Sequence, residues 1–166
     1  MIYSILIVSA AGFFSLFGVN WEAIDARIAE EYPAVQTIEG DVLLKQLQTA
    51  EQPAPQLVDV REQDEFGVSH LQGARNWQSA TEIAQQLTDK TAPIVVYCSV
   101  GYRSAGVASE LAAMGYTQVR NLRHSIFAWA NTGKPMVNAQ GATDKAHPFN
   151  LVWGSLLIEP LRQRTP

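Results

Sequence analysis

Ile94-Val95-Val96-Tyr97-Cys98-Ser99-Val100-Gly101-Tyr102-Arg103-Ser104 is the stretch on which the reading of this chain turns. Its first four residues are continuously apolar and rich in β-branched side chains, the pattern of a strand buried on both faces. From Ser104 to Met114 the chain is Ala-rich and helical in pattern, with Gly115 placed as a residue that ends a helix. Cys98 therefore stands between the carboxyl end of a buried strand and the start of a helix, where open α/β sheets bind ligands. A lone cysteine is more often a small buried hydrophobe than a nucleophile; this position argues for chemistry. A short connection must curl tightly, and Gly101 allows the backbone a conformation that other residues resist. If it curls around the sulfur, successive N–H groups of Ser99 to Arg103 form an anion nest. The helix dipole and the Arg103 cation act in the same sense, and all favour the thiolate. Ser104 is placed to cap the helix.

Outward from this stretch, strands and helices alternate. Strands are expected at Gln36–Ile38, Leu57–Val60, Gly73–Trp77 and Val119–Leu122. Helices are expected at 21–32, at 42–48 behind an Asp41 cap, at 62–66, at 82–87 behind a Thr81 cap, and at 125–131. Pro33 ends the first, and Pro53 and Pro55 mark a turn-prone link. The alternation predicts an α/β domain with a mainly parallel sheet flanked by helices.

The sequence resembles the rhodanese family over residues 35–137. Leu57-Val58-Asp59-Val60-Arg61, then Glu65-Phe66 and His70-Leu71-Gln72-Gly73-Ala74-Arg75-Asn76, resemble its first signature, with Ser69 where the family usually has Gly. Val95-Val96-Tyr97-Cys98 with Gly101 and Arg103-Ser104 resembles its active-site loop. Met114-Gly115-Tyr116, Val119, Leu122, Trp129 and Gly133-Lys134-Pro135 resemble its closing segment. The resemblance implies a five-stranded rhodanese-like domain and a sulfurtransferase, with Cys98 as the nucleophile that takes a sulfane sulfur from thiosulfate or another persulfide. The sulfur then passes to a thiol, cyanide or a protein acceptor. Ser99, Val100, Gly101, Tyr102, Arg103 and Ser104 form the implied substrate loop. The segment from Cys98 to Arg103 has six residues; the phosphatases related to this family have one more, so phosphatase or arsenate reductase activity is the lesser reading. Two other readings stay open: a membrane-tethered persulfide carrier for a dedicated protein partner, and an inert interaction module. Arg103 suits either an anionic substrate or a structural tie. Asp59 and Arg61 are expected to support the site through a network with Glu62 or Glu65 at the sheet edge, His70 to be structural, and Trp77 and Trp129 to lie in the core.

Composition narrows the partners. A net charge of -4 without a basic patch speaks against nucleic acid. One cysteine allows no intrachain disulfide, no zinc-ligand spacing occurs, and no cofactor is implied. Residues 1–19 carry no charged side chain and would rise about 28 Å as a helix, close to the ~30 Å of a bilayer core. With Tyr3 and Trp21 near its ends, this predicts a membrane association through a single helix, on an unassigned face. An exported chain with a cleaved signal, though without a positive n-region, and a helix packed on the domain are the alternatives. Residues 20–34 are read as a stalk or packed helix. Residues 138–166, with His147-Pro148-Phe149-Asn150 and two apolar runs behind it, are read as an extension packed across the domain or offered to a partner.

Overall fold

A computed structural model describes residues 19–49 and 54–165. Five short strands form one sheet: β1 (Gln36–Ile38), β2 (Gln56–Asp59), β3 (Arg75–Asn76), β4 (Ile94–Tyr97) and β5 (Val119–Leu122). Their spatial order is β1-β5-β4-β2-β3 and every pairing is parallel. All four residues of β4, the central strand, are buried. Because consecutive side chains on a strand point to opposite faces, Ile94 and Val96 enter one core cluster and Val95 and Tyr97 the other. Burial of each of the three aliphatic side chains contributes roughly 1.5–3 kcal/mol, and the Tyr97 hydroxyl is satisfied by the Leu71 N–H at 3.1 Å.

Helices α1 (Trp21–Glu31), α2 (Gly40–Gln48), α3 (Gln63–Val68), α4 (Ala80–Gln86), α5 (Tyr102–Ala113) and α6 (Ser125–Asn131) connect or flank the strands. Leu43 of α2 and Ile126 and Phe127 of α6 fill the cluster beneath one face of the sheet. Ile83 of α4 and Ala108 and Leu111 of α5 fill the other. Beyond α6 the chain forms an antiparallel pair, β6 (Met136–Asn138) and β7 (Gly141–Thr143), then a single helical turn, α7 (Leu151–Gly154), and a 3₁₀ turn, Glu159–Leu161. The sequence pattern shows neither the small pair nor these turns. Leu157 is fully buried in the core and Trp153, Leu156 and Leu161 pack against it, whereas Leu151 and Val152 stay exposed.

Three helix starts differ from expectation. Ser79, not Thr81, caps α4: its hydroxyl accepts the Glu82 N–H at 3.1 Å. Asp41 lies inside the first turn of α2 and pairs with Lys134 instead of capping. Ser104 lies within α5, whose N-cap is Gly101. The edge strand β3 is shorter than the expected Gly73–Trp77 because Gly73, at φ +82°, belongs to the turn in which Ala74 N–H donates to Leu71 O.

The expected membrane association is corrected. Among the described residues no helix is long and apolar enough to cross a membrane. The longest, α5, has 12 residues, a rise of about 18 Å against a ~30 Å hydrocarbon core. Residues 1–18 lie outside the described residues. Val19 and Trp21, expected at a bilayer boundary, pack instead against the protein core, and the Trp21 ring lies 4.5 Å from that of His124. Asn20 caps α1 by accepting the Ala23 N–H at 2.8 Å, and Ile24 is fully buried.

Candidate active site

β4 delivers Cys98 to the carboxyl end of the sheet, and the chain turns there into α5. The turn is possible because Gly101 adopts φ +104°; a Cβ there would be strained and would sit 3.4 Å from the His124 nitrogen. Gly101 N–H donates to Cys98 Sγ at 3.2 Å, and the Ser104 hydroxyl lies 3.5 Å from the same sulfur. The Ser104 hydroxyl also donates to Asn121 Oδ1 at 2.7 Å, while Asn121 Nδ2 donates to Gly101 O at 2.9 Å. Asn121 of β5, fully buried, thus clamps the two residues that face the sulfur.

The other side of the loop rests on α6. Cys98 N–H donates to Ser125 Oγ at 3.0 Å, and Ser125 Oγ donates to Leu122 O at 3.1 Å. Ile126 N–H and Phe127 N–H donate to Cys98 O and Ser99 O at 3.2 and 3.0 Å. The first N–H groups of a helix lack partners within it, so the loop carbonyls complete α6 while α6 fixes the loop. His124 and Ser125 hold this junction at φ +56° and +47°, a left-handed conformation that costs L-residues with a Cβ roughly 1–2 kcal/mol.

Cys98 is buried, which pushes its thiol upward. The Arg103 guanidinium, the Ser104 hydroxyl and N–H and the Gly101 N–H outweigh that penalty, so the thiol lies below its ordinary value. Reactivity toward a neutral alkylating agent should therefore be gained as pH rises through a midpoint below the ~8.5 of free cysteine. The rate of iodoacetamide labelling against pH measures it without ambiguity, since Cys98 is the sole thiol; a midpoint at or above the free value would contradict a stabilised thiolate.

The remaining loop residues divide by direction. Val100 is buried in the core. Ser99 Oγ donates to Glu65 Oε1 at 2.9 Å, and Arg103 Nη2 donates to both Glu65 oxygens at 3.1 Å and to Ser99 Oγ at 3.2 Å. Phe149 of the C-terminal extension lies over Arg103, its ring centroid 4.8 Å from the guanidinium carbon. The Tyr102 hydroxyl donates to Glu31 of α1, and its ring lies against Tyr32.

Asp59 and Arg61 form a fully buried ion pair, with Arg61 Nη2 2.6 Å from Asp59 Oδ2 and donating also to Ser69 O at 2.6 Å. They sit at the end of β2, between β3 and β4, and not at the sheet edge. Glu65, expected in their network, turns to Ser99 and Arg103. His70 is a structural residue: its Nδ1 lies 3.0 Å from Phe66 O, its ring stacks on Phe66, and its backbone bridges to Val137. Trp129 is buried and Trp77 partly so. Asn121, Ser125 and Phe149 were not singled out for the site from sequence, and Glu65 was expected only in the Asp59–Arg61 network. The Glu65-Phe66 motif marks Glu65, but nothing local marks the others, which meet the loop from distant parts of the chain. No cluster of three or more metal-ligating side chains occurs among the described residues.

Comparison with known proteins gives a consistent result. The family model of the Rhodanese-like domain matches residues 41–132. A protein of Tolumonas auensis named thiosulfate sulfurtransferase GlpE is 33% identical over 79 residues, which is 46% of this chain and 74% of that protein. Thiosulfate sulfurtransferase 18 of Arabidopsis thaliana is 30% identical over 124 residues, covering 66% of this chain and 90% of the relative. Among solved structures, a thiosulfate sulfurtransferase from Pseudomonas aeruginosa superposes with a TM-score of 0.60 at 18% identity, over 71% of this chain and 23% of that one; at that identity the likeness concerns the fold alone.

Proposed function

The chain belongs to the Rhodanese-like domain family, whose relatives matched here include sulfurtransferases, and from that premise we propose that it moves sulfane sulfur through a persulfide on Cys98. The observation that carries the reading is the shell around one sulfur atom: the Gly101 N–H, the Ser104 hydroxyl and the nearby Arg103 cation all favour negative charge there. Donors fixed in advance and aimed at developing charge are the main way such sites lower a barrier.

In the proposed reaction the Cys98 thiolate attacks the outer sulfur of thiosulfate. A bond forms from Sγ to that sulfur, the S–S bond of thiosulfate breaks, and sulfite leaves with the electron pair. A thiolate or cyanide then attacks the outer sulfur of the persulfide. The new bond carries the sulfur away and Cys98 departs as the thiolate, ready for another cycle. No proton is required at the sulfur in either step, which suits a loop built from donors and without a base against Sγ.

A second reading, a persulfide carrier for a dedicated protein partner with little thiosulfate turnover, is favoured by one observation. Arg103 already donates to Glu65 and Ser99 and is covered by Phe149, so it offers an incoming sulfonate only part of its donor set. An inert module is disfavoured by the convergence of donors on the Cys98 sulfur.

The test is a pair of assays on the full chain. Thiocyanate should form from thiosulfate and cyanide, and release of phosphate from an aryl phosphate should stay at background, because the six-residue segment from Cys98 to Arg103 is one residue shorter than that of the related phosphatases. Efficient Cys98-dependent phosphate release would overturn the proposal; persulfide formation from a protein donor with negligible thiocyanate would select the carrier.

A further inference from the structure

The turn His147-Pro148-Phe149-Asn150 is held from both sides around a left-handed residue. Phe149 sits at φ +61°, a left-handed conformation disfavoured for a bulky side chain. Its N–H donates to His147 Nδ1 at 3.1 Å, which holds the turn from one side. On the other side Asn150 Oδ1 accepts the Trp153 N–H at 3.0 Å and starts α7 at once. Gly154 lets Pro148 close over that helix: a Cβ there would stand 2.9 Å from Pro148 Cβ. The ring so aimed is not in the core. Phe149 is 40% exposed, and its partner is the Arg103 guanidinium at 4.8 Å. Strain held by surrounding structure at a loop beside a reactive group is a reason to look for a role.

We propose that Phe149 is a positioning residue for the active-site loop, holding the Arg103 guanidinium against Glu65 and Ser99 so that its charge serves the Cys98 sulfur. The proposal rests on the reading of Cys98 as the reacting thiol. Glu65 fixes the edge of the guanidinium through Nη2, and the guanidinium carbon lies over the face of the Phe149 ring. A cation over the face of a ring is attracted by the negative charge there, and a covered cation is less screened by water. Without the ring, Arg103 keeps its bonds to Glu65 and Ser99 through Nη2 and gains solvent. Among the described residues, the charged groups that bear on this site are Arg103 on α5, its partner Glu65 on α3, and Arg61 at the end of β2, which repels Arg103. His124, at the start of α6, turns its ring to Asp25.

The experiment measures iodoacetamide labelling of Cys98 against pH, and thermal unfolding, in the full chain with Phe149→Gly and Phe149→Tyr. Glycine relaxes the left-handed turn while removing the ring; tyrosine keeps the ring. The glycine variant should label with a midpoint higher by roughly 0.5 pH unit, about a threefold loss of thiolate at a fixed pH below it, and the tyrosine variant should match the parent. A purely structural role predicts the reverse, a changed unfolding temperature with an unmoved midpoint, and would overturn the proposal. An equal rise in the tyrosine variant would overturn it as well. Should the glycine variant fail to fold, Phe149→Leu replaces it, and Arg103→Met supplies the control: on that background the ring's removal should leave the midpoint where Arg103→Met alone puts it, whereas a further shift would contradict action through Arg103. Labelling needs no sulfur donor, so this result is independent of whether the chain proves to transfer sulfur.

Discussion

Cys98→Ser should reduce thiocyanate formation to background, a loss on the order of 10⁴-fold or more, the scale on which removal of a covalent nucleophile acts. A hydroxyl at this place is far less acidic than the thiol, and the donors around it do not make it an anion at neutral pH. Nor does a serine hold a sulfane sulfur that a second nucleophile can release. The substitution is nearly isosteric in a position that is 1% exposed, and the Cys98 backbone bonds to Ser125 and Ile126 do not involve the sulfur. The unfolding temperature should therefore stay close to that of the parent. Retained turnover would remove Cys98 from the mechanism. Loss of turnover together with loss of folding would make the thiol structural.

The largest effect on stability should come from Asp59→Asn. Arg61 is fully buried, and both Asp59 oxygens accept from it, at 2.9 and 3.2 Å from Nε and 2.6 Å from Nη2. Burial alone would favour the neutral guanidine, yet the Asp59 carboxylate holds Arg61 raised above its ordinary value, so the pair is ionic. Asparagine keeps the volume and removes the compensating charge. Breaking a buried pair on one side costs about 3–5 kcal/mol, which for a chain of this size lowers the unfolding temperature by roughly 10 °C. The double change Asp59→Leu with Arg61→Met should recover much of that loss, because a buried pair often contributes little beyond what apolar packing supplies. A drop of under about 2 °C for Asp59→Asn would show that the pair is well solvated in solution. The same change should lower sulfur transfer less than it lowers stability, since neither residue bonds to the sulfur.

What could be read from the sequence follows from the range of each interaction. Ile94 to Tyr97 announces itself because a central parallel strand excludes polar residues on both faces, and Cys98 is legible as the residue after it. Helix caps were less legible. Ser79 and Thr81 are both suitable caps two residues apart, and the angle at which the chain enters α4 decides between them. The left-handed pair His124 and Ser125 carries no sequence signal, since that conformation is ordinarily assigned to glycine. Its reason is tertiary: the Ser125 hydroxyl accepts the Cys98 N–H across 27 positions. Glu65 reaches Ser99 across 34 positions, and Phe149 reaches Arg103 from an extension with no periodic pattern. Trp21 illustrates the opposite error. Beside an uncharged apolar run an aromatic residue reads as an interfacial anchor, yet its ring lies tilted 4.5 Å from that of His124.

The central claim, that a sulfur atom resides on Cys98 between donor and acceptor, is tested most directly by intact-protein mass spectrometry of the full chain after exposure to thiosulfate. A species heavier by one sulfur atom is expected, mapped to Cys98, discharged by cyanide and absent from Cys98→Ser. A protein that stays unmodified with both thiosulfate and a persulfide donor, or that carries the added sulfur equally well after Cys98→Ser, would contradict it.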